Sequence, residues 1–214
     1  MQEINTIKSN GISKIIEKKS KFIGQAFYVE TREEAENILK TIKQDNLNAR
    51  HNCYAYSILE NNILITKSSD DGEPSGTAGM PILNVINENK VVNIIIVVTR
   101  YFGGILLGTG GLVRCYTKSA VEALRQSEII KKEIGYRVKF ITNYNKMEML
   151  KYYLKQNLCN IINTTYLGKI EIIAEISENV KNKMEKEGIK KDNMFEKMEI
   201  LEKRYITKNA IWKK

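Results

Sequence analysis

The residues best suited to chemistry lie in one segment, Thr99-Arg-Tyr-Phe-Gly-Gly-Ile-Leu-Leu-Gly-Thr-Gly-Gly-Leu-Val-Arg114, in which five of nine consecutive positions are glycine (103, 104, 108, 110 and 111). Glycine lets backbone N–H groups turn outward and approach a bound group closely. A helix opening at Thr109 or just after it adds unpaired donors and a partial positive charge. Arg100 stands at the end of a strand and Arg114 one turn into the helix. The chemistry expected is anion binding, phosphate above all, by Arg100, Arg114 and the amides of Gly103, Gly104, Gly110 and Gly111, with Gly108 and Thr109 completing the loop. Tyr101 and Phe102 either stack on a base or belong to the core. The segment is neither a Walker A loop, lacking Gly-Lys-Ser/Thr, nor a dinucleotide fingerprint, lacking G-x-G-x-x-G. The competing reading is that the glycines only let helix and sheet pack closely.

Two further segments carry polar groups. In Asp70-Asp-Gly-Glu-Pro-Ser-Gly-Thr-Ala-Gly79, three carboxylates precede a Ser75-Gly76-Thr77 stretch that opens a helix, and all six residues join the candidate ligand-binding set. Asp70, Asp71 and Glu73 either hold a divalent cation or pair with Arg100. The plainer alternative is a turn with an N-cap, the acids lying favourably before a helix dipole. In Ala49-Arg-His-Asn-Cys-Tyr-Ala-Tyr56, Arg50 and His51 join the candidate binding residues. His51 is a general base in one reading and a structural hydrogen bonder in the other. No spacing suggests a nucleophile–base pair, so catalysis is the lesser expectation, and no cofactor is expected.

Composition narrows the classes. No apolar run approaches the roughly 20 residues a bilayer crossing requires, and the first residues do not read as a secretion signal. A cytoplasmic protein is expected, with no membrane partner. Three cysteines (53, 115, 159) never form C-x-x-C, which argues against a disulfide framework or a zinc site; all three read as buried or half-buried apolar residues. A single histidine excludes a histidine-rich metal site. Lys and Arg number 15 against 14 acidic residues over 1–130, and 19 against 11 beyond. A basic second half attracts polyanions, unless lysine is simply the preferred surface residue.

These residues need a scaffold, and the pattern supplies one. A strand is expected over Ser20–Val29, and a capping box at Thr31-Arg-Glu-Glu34 opens a helix to about Gln44. A hairpin pairs 52–59 with 63–67, and a loop runs over 68–75. A helix over about 77–87 holds Pro81 in its first turn. A buried strand over 91–99 and a long helix over 109–130 complete this half. From Lys132 the order becomes strand 133–142, helix 144–157, strand 159–166, strand 169–176, helix 178–188 and strand 194–206. That is the ferredoxin-like βαββαβ arrangement, within an α+β chain. The domains divide near Lys131, as 1–131 and 132–214.

Four ordered motifs resemble the IMPACT/YigZ family: Lys19-Ser-Lys-Phe-Ile-Gly24, Arg50-His-Asn-Cys-Tyr-Ala-Tyr56, Asp70–Gly79 with Pro81, and Thr99–Arg114. The resemblance implies an N-terminal α/β sandwich similar to the second domain of a small-subunit ribosomal protein. It also implies a C-terminal domain similar to domain V of elongation factor G. Both relatives touch RNA or the ribosome, so RNA, the ribosome or a translation factor is the partner expected. The resemblance implies that eukaryotic members regulate translation initiation by damping the starvation-activated initiation-factor kinase, an activity that depends largely on an extra N-terminal domain. No room for that domain is expected in this chain, so the kinase-regulating role is not expected here. The alternatives are an enzyme acting on a phosphorylated or carboxylated small molecule with a divalent metal, and a protein-interaction module using the C-terminal sheet face.

Overall fold

In the computed structural model, residues 3–60, 62–188 and 194–208 are described. The chain is a mixed α+β protein with antiparallel sheets, and it divides into two compact units, residues 3–130 and the chain from Lys131 onward.

The first unit contains β1 (Glu3–Ile7), β2 (Gly11–Glu17), β3 (Ser20–Tyr28), α1 (Arg32–Asp45), β4 (His51–Glu60), β5 (Ile63–Ser69), α2 (Gly79–Glu88), β6 (Ile94–Tyr101) and α3 (Thr109–Gln126). Five strands pair antiparallel in the order β2-β3-β6-β4-β5. Helices α2 and α3 cover one face, over Phe22, Ala26, Cys53, Ala55, Ile94, Ile96 and Val98. Helix α1 covers part of the other, over Val29, Tyr54, Tyr56, Ile58, Ile95 and Val97. Because side chains alternate along a strand, the central β6 is apolar on both faces and reads as a continuous hydrophobic run. Thr31 caps α1, its hydroxyl accepting from the Glu34 amide, while the Glu34 carboxylate accepts from the Glu30 amide. Close packing of α3 on the β2–β3 hairpin depends on Gly24: a Cβ there would lie 2.6 Å from the Ser119 carbonyl oxygen.

Helix α2 begins at Gly79, two residues later than its sequence suggests, with Pro81 in its first turn, where a missing N–H costs nothing. Helix α3 stops at Gln126 rather than near Ile130. The Ser127 hydroxyl folds back onto the Ala123 carbonyl, Glu128 reverses the chain in the left-handed region, and Ile129 already belongs to a strand.

The second unit holds β7 (Ile129–Thr142) from Lys131 onward, α4 (Tyr144–Gln156), β8 (Asn160–Tyr166), β9 (Ile170–Ser177), α5 (Glu178–Lys183) with a π turn over Met184–Gly188, and β10 (Lys197–Thr207). Its strands run β10-β7-β9-β8, each pair antiparallel. Helices α4 and α5 pack on one side of that sheet, over Val138, Phe140, Ile170, Ile172, Ala174 and Ile176. Asn143 and Ser177 cap α4 and α5 as their positions suggest.

Candidate functional site

Strand register assembles the first part of the site. Phe22 of β3 and His51 of β4 both lie opposite Arg100 of β6, forming one row across the sheet. Arg100 has the parity of Ile96 and Val98, so it extends the face that α2 and α3 cover, and it is only 5% exposed. Its Nη1 donates to Glu73 Oε1 at 2.6 Å, and the Tyr116 hydroxyl of α3 donates to the same oxygen at 2.8 Å. The guanidinium lies over the Phe22 and Phe102 rings, 5.4 and 5.6 Å from their centroids. Its Nε is buried without a hydrogen-bond partner.

The Asp70–Gly79 and Thr99–Arg114 segments therefore meet through the Glu73–Arg100 pair, which is the second of the two roles open to Glu73 from sequence. This arrangement corrects the reading of Arg100 as a phosphate ligand. Its charge is already matched inside the protein, in surroundings where an unpaired charge is costly. Burial, with Cys53 and Glu73 adding to it, pushes the Tyr116 hydroxyl far up, so it remains a donor to Glu73. Burial likewise pushes the Cys53 thiol up to about 12, even though the hydrogen bond with Tyr116 opposes the shift.

The acidic loop satisfies itself. Asp70 accepts from the amides of Gly76, Ala78 and Gly79 at 2.8–2.9 Å and so caps α2 from eight residues away, where Ala78 has no side chain to do so. Burial would raise the Asp70 carboxyl, but those three amides outweigh it and hold it below the ordinary aspartate value. Asp71 accepts from Lys43 Nζ and from the Asn52 amide, both at 2.7 Å. Thr77 turns its amide and hydroxyl onto the Pro74 carbonyl. The amides of Gly76 and Thr77 are thus spent internally, while Ser75 lies exposed. Each carboxylate already has its own partners, and among the described residues no group of three His, Cys, Asp or Glu is placed to hold a metal. The turn-and-cap reading accounts for this loop.

His51 Nδ1 lies 2.8 Å from the Asp71 carbonyl oxygen. A carbonyl only accepts, so Nδ1 carries the hydrogen. Nε2 faces Glu73 at 3.9 Å, beyond hydrogen-bond distance. This is a structural hydrogen bond holding the loop against β4.

The glycine loop is different in kind. Gly103 is wedged against the β2–β3 turn, its amide donating to Ser20 Oγ at 3.1 Å. A Cβ there would fall 2.0 Å from the Lys19 carbonyl carbon, so at this position the packing reading holds. Gly104, Gly108 and Gly110 face open space. Gly108 occupies the N-cap of α3 at φ 70° and ψ 165°, a conformation open to glycine, with no side-chain cap and no acidic residue in the first turn. The first intrahelical bond runs from the Leu112 amide to the Gly108 carbonyl, leaving the amides of Thr109, Gly110 and Gly111 without intrahelical partners. Beside them Arg114 and Lys118 are exposed, and Leu106 at the loop tip is 82% exposed. Exposed Arg50 lies over the Phe102 ring at 5.3 Å. Alternation takes Tyr101 to the opposite sheet face, where its hydroxyl donates to Asn46 and Lys21 lies over its ring.

Sequence reasoning missed Tyr116 and Lys43 as parts of this site. Tyr116 had a signal in hindsight: a phenol on the buried stripe of α3 needs a polar partner, and Glu73 is that partner.

Residues 18–124 match the sequence model of the Impact N-terminal domain, a span containing all four motifs and the whole Glu73–Arg100–Tyr116 cluster. The IMPACT family member YvyE of Bacillus subtilis is 37% identical over 83% of this chain and 81% of its own length. The IMPACT family member YigZ of Escherichia coli is 36% identical over 70% of this chain and 74% of its own. A crystal structure of a hypothetical protein superposes with a TM-score of 0.65 at 27% identity, covering 94% of this chain and 97% of that one. With the family's domain matched across its site and relatives aligned over most of their length, this chain belongs to the IMPACT family.

Proposed function

We propose that this IMPACT-family chain is a translation-associated binding protein that holds an RNA phosphate at the N-terminus of α3. One observation carries the reading. Of the two helices that open beside a glycine-rich loop in this unit, α2 is closed by Asp70, whereas α3 is left uncapped in an exposed loop with Arg114 following. Amides left without intrahelical partners at a helix start, followed by an arginine and with no acidic residue in the first turn, suit an anion. The β10-β7-β9-β8 strand order, which is the ferredoxin-like order, supports the likeness to an elongation-factor domain, and with it a ribosomal setting in the cytoplasm. An enzymatic reading through Asp70, Asp71 and Glu73 loses support because each of those carboxylates is already engaged.

The test is fluorescence anisotropy of labelled RNA across a salt series. Affinity should fall steeply with salt, and Arg114→Ala should reduce the log–log slope by about one while weakening different RNA sequences equally. Binding indifferent to salt, or unchanged by Arg114→Ala, would overturn the proposal.

A further inference from the structure

The second unit presents two very different surfaces. On the open face of its sheet, charges are tied to one another: Arg137 to Glu175 at 3.1 Å and Glu202 at 3.8 Å, Lys139 to Glu199 at 3.4 Å, and Arg204 to Glu202 at 3.4 Å. Such a ladder is close to neutral and its carboxylates repel a polyanion.

The outer surface of α4 is unlike it. Tyr144, Lys151, Tyr152 and Lys155 recur at spacings that place them on one stripe of that helix, while Leu150 and Leu154 anchor the opposite side in the core. Tyr144 is 58% exposed and Tyr152 65%. The β8–β9 turn rises beside them: the Tyr144 hydroxyl donates to the Leu167 carbonyl at 3.2 Å, and Lys151 Nζ donates to the Tyr166 hydroxyl at 3.3 Å. Tyr166 is itself 54% exposed. The stripe carries one carboxylate, exposed Glu148, 3.5 Å from Lys151.

We propose that this stripe is a stacking platform for an unpaired RNA strand. Tyr144, Tyr152 and Tyr166 would offer ring faces to successive bases, and Lys151 and Lys155 would meet the phosphates. The assignment rests on the RNA-binding reading above but places a separate contact on a separate unit. Its chemistry favours nucleic acid because the lysines match phosphate and every base has a face that stacks on a phenol. A duplex, whose bases are already stacked, can use the lysines but not the rings.

The experiment compares a fluorescein-labelled 12-nucleotide oligouridine with an RNA duplex of the same length. Tyr152→Ala and Tyr166→Ala should each weaken oligouridine binding by about ten-fold, within the range for lost stacking on one base, and leave duplex binding unchanged. Tyr152→Phe should bind like the parent, because the ring is kept, and Glu148→Gln should bind somewhat tighter. Alanine variants that bind oligouridine normally, equal losses for duplex and single strand, or a phenylalanine variant as weak as the alanine one would each overturn the platform. Failure here alongside a normal response to Arg114→Ala would leave the α3 site standing, and the converse pattern would leave the platform standing without it.

Discussion

Replacing Glu73 by glutamine is the sharpest test of how the site is held together. The side chain keeps its shape and a carbonyl oxygen for Tyr116, but Arg100 is left as a buried cation whose anion has gone. Arg100 and the Glu73 side chain are almost fully enclosed, and their contact is 2.6 Å. Removing one member of such a pair costs about 3–5 kcal/mol, since the remaining charge is unmatched in a low-dielectric setting. The hydrogen bond retained by glutamine places Glu73→Gln near the lower end. With an m-value of about 1–3 kcal/mol per molar urea, the unfolding midpoint of the first unit should fall by on the order of 1 M or more. The assay is urea unfolding by far-ultraviolet circular dichroism, with hydrogen exchange of the β6 amides reporting that unit specifically. The double replacement Glu73→Leu with Arg100→Leu should recover part of the loss, because the pair is then replaced rather than broken, while the Tyr116 hydroxyl is left without its acceptor. If Glu73→Gln cost less than about 1 kcal/mol, the pair would be well solvated, and the argument that Arg100 is withheld from ligands would fail.

Asp70→Ala should destabilise the first unit by about 1–2 kcal/mol through loss of the α2 cap, read from denaturant midpoints. Because the folded Asp70 carboxyl lies below its ordinary value, its contribution is fully present above the ordinary aspartate range near about pH 4. It disappears as pH falls through the lowered value, so parent and Asp70→Ala should converge in stability on acidification. Gly103→Ala should be strongly destabilising, its methyl group meeting Lys19 backbone atoms, whereas Gly110→Ala, in open space at a helical position, should be neutral or stabilising by up to about 1 kcal/mol. Native protein at pH 8 should resist alkylation at Cys53 and Cys159, both pushed up to about 12 by burial. Intact mass should show all three thiols labelled only after denaturation.

Local patterns in the sequence accounted for most elements, because they depend on signals a few residues apart. Thr31, Asn143 and Ser177 cap the helices they precede, and the order of strands and helices after Lys132 follows the alternation of periods. Strand β2 escaped notice for a physical reason: Ile12 and Ile16 point outward and are exposed, while Ser13 faces α3 and donates to the Ser119 carbonyl. The polar–apolar sense of the strand is reversed there. The fate of Arg100 was obscured by the run Ile94–Val98, buried on both faces, which hides the parity that assigns Arg100 to one side. Long-range pairings such as Asp70 with the Gly79 amide, Lys43 with Asp71, and Tyr116 with Glu73 leave no local trace. They arise only when strand register brings distant segments together, and they decide which of the sequence's polar groups remain free for a ligand.

The uncapped start of α3 can be closed without disturbing anything else. At Gly110 a side chain meets open space, and an aspartate in the first helical turn interacts favourably with the helix dipole, by about 0.3–1 kcal/mol. Gly110→Asp should therefore fold at least as stably as the parent while placing a carboxylate where an RNA phosphate would sit. The deciding measurement is the dissociation constant of this variant for labelled duplex RNA at low salt, beside its unfolding midpoint. The account predicts undiminished stability with RNA affinity reduced ten-fold or more; undiminished stability with parental affinity would contradict it.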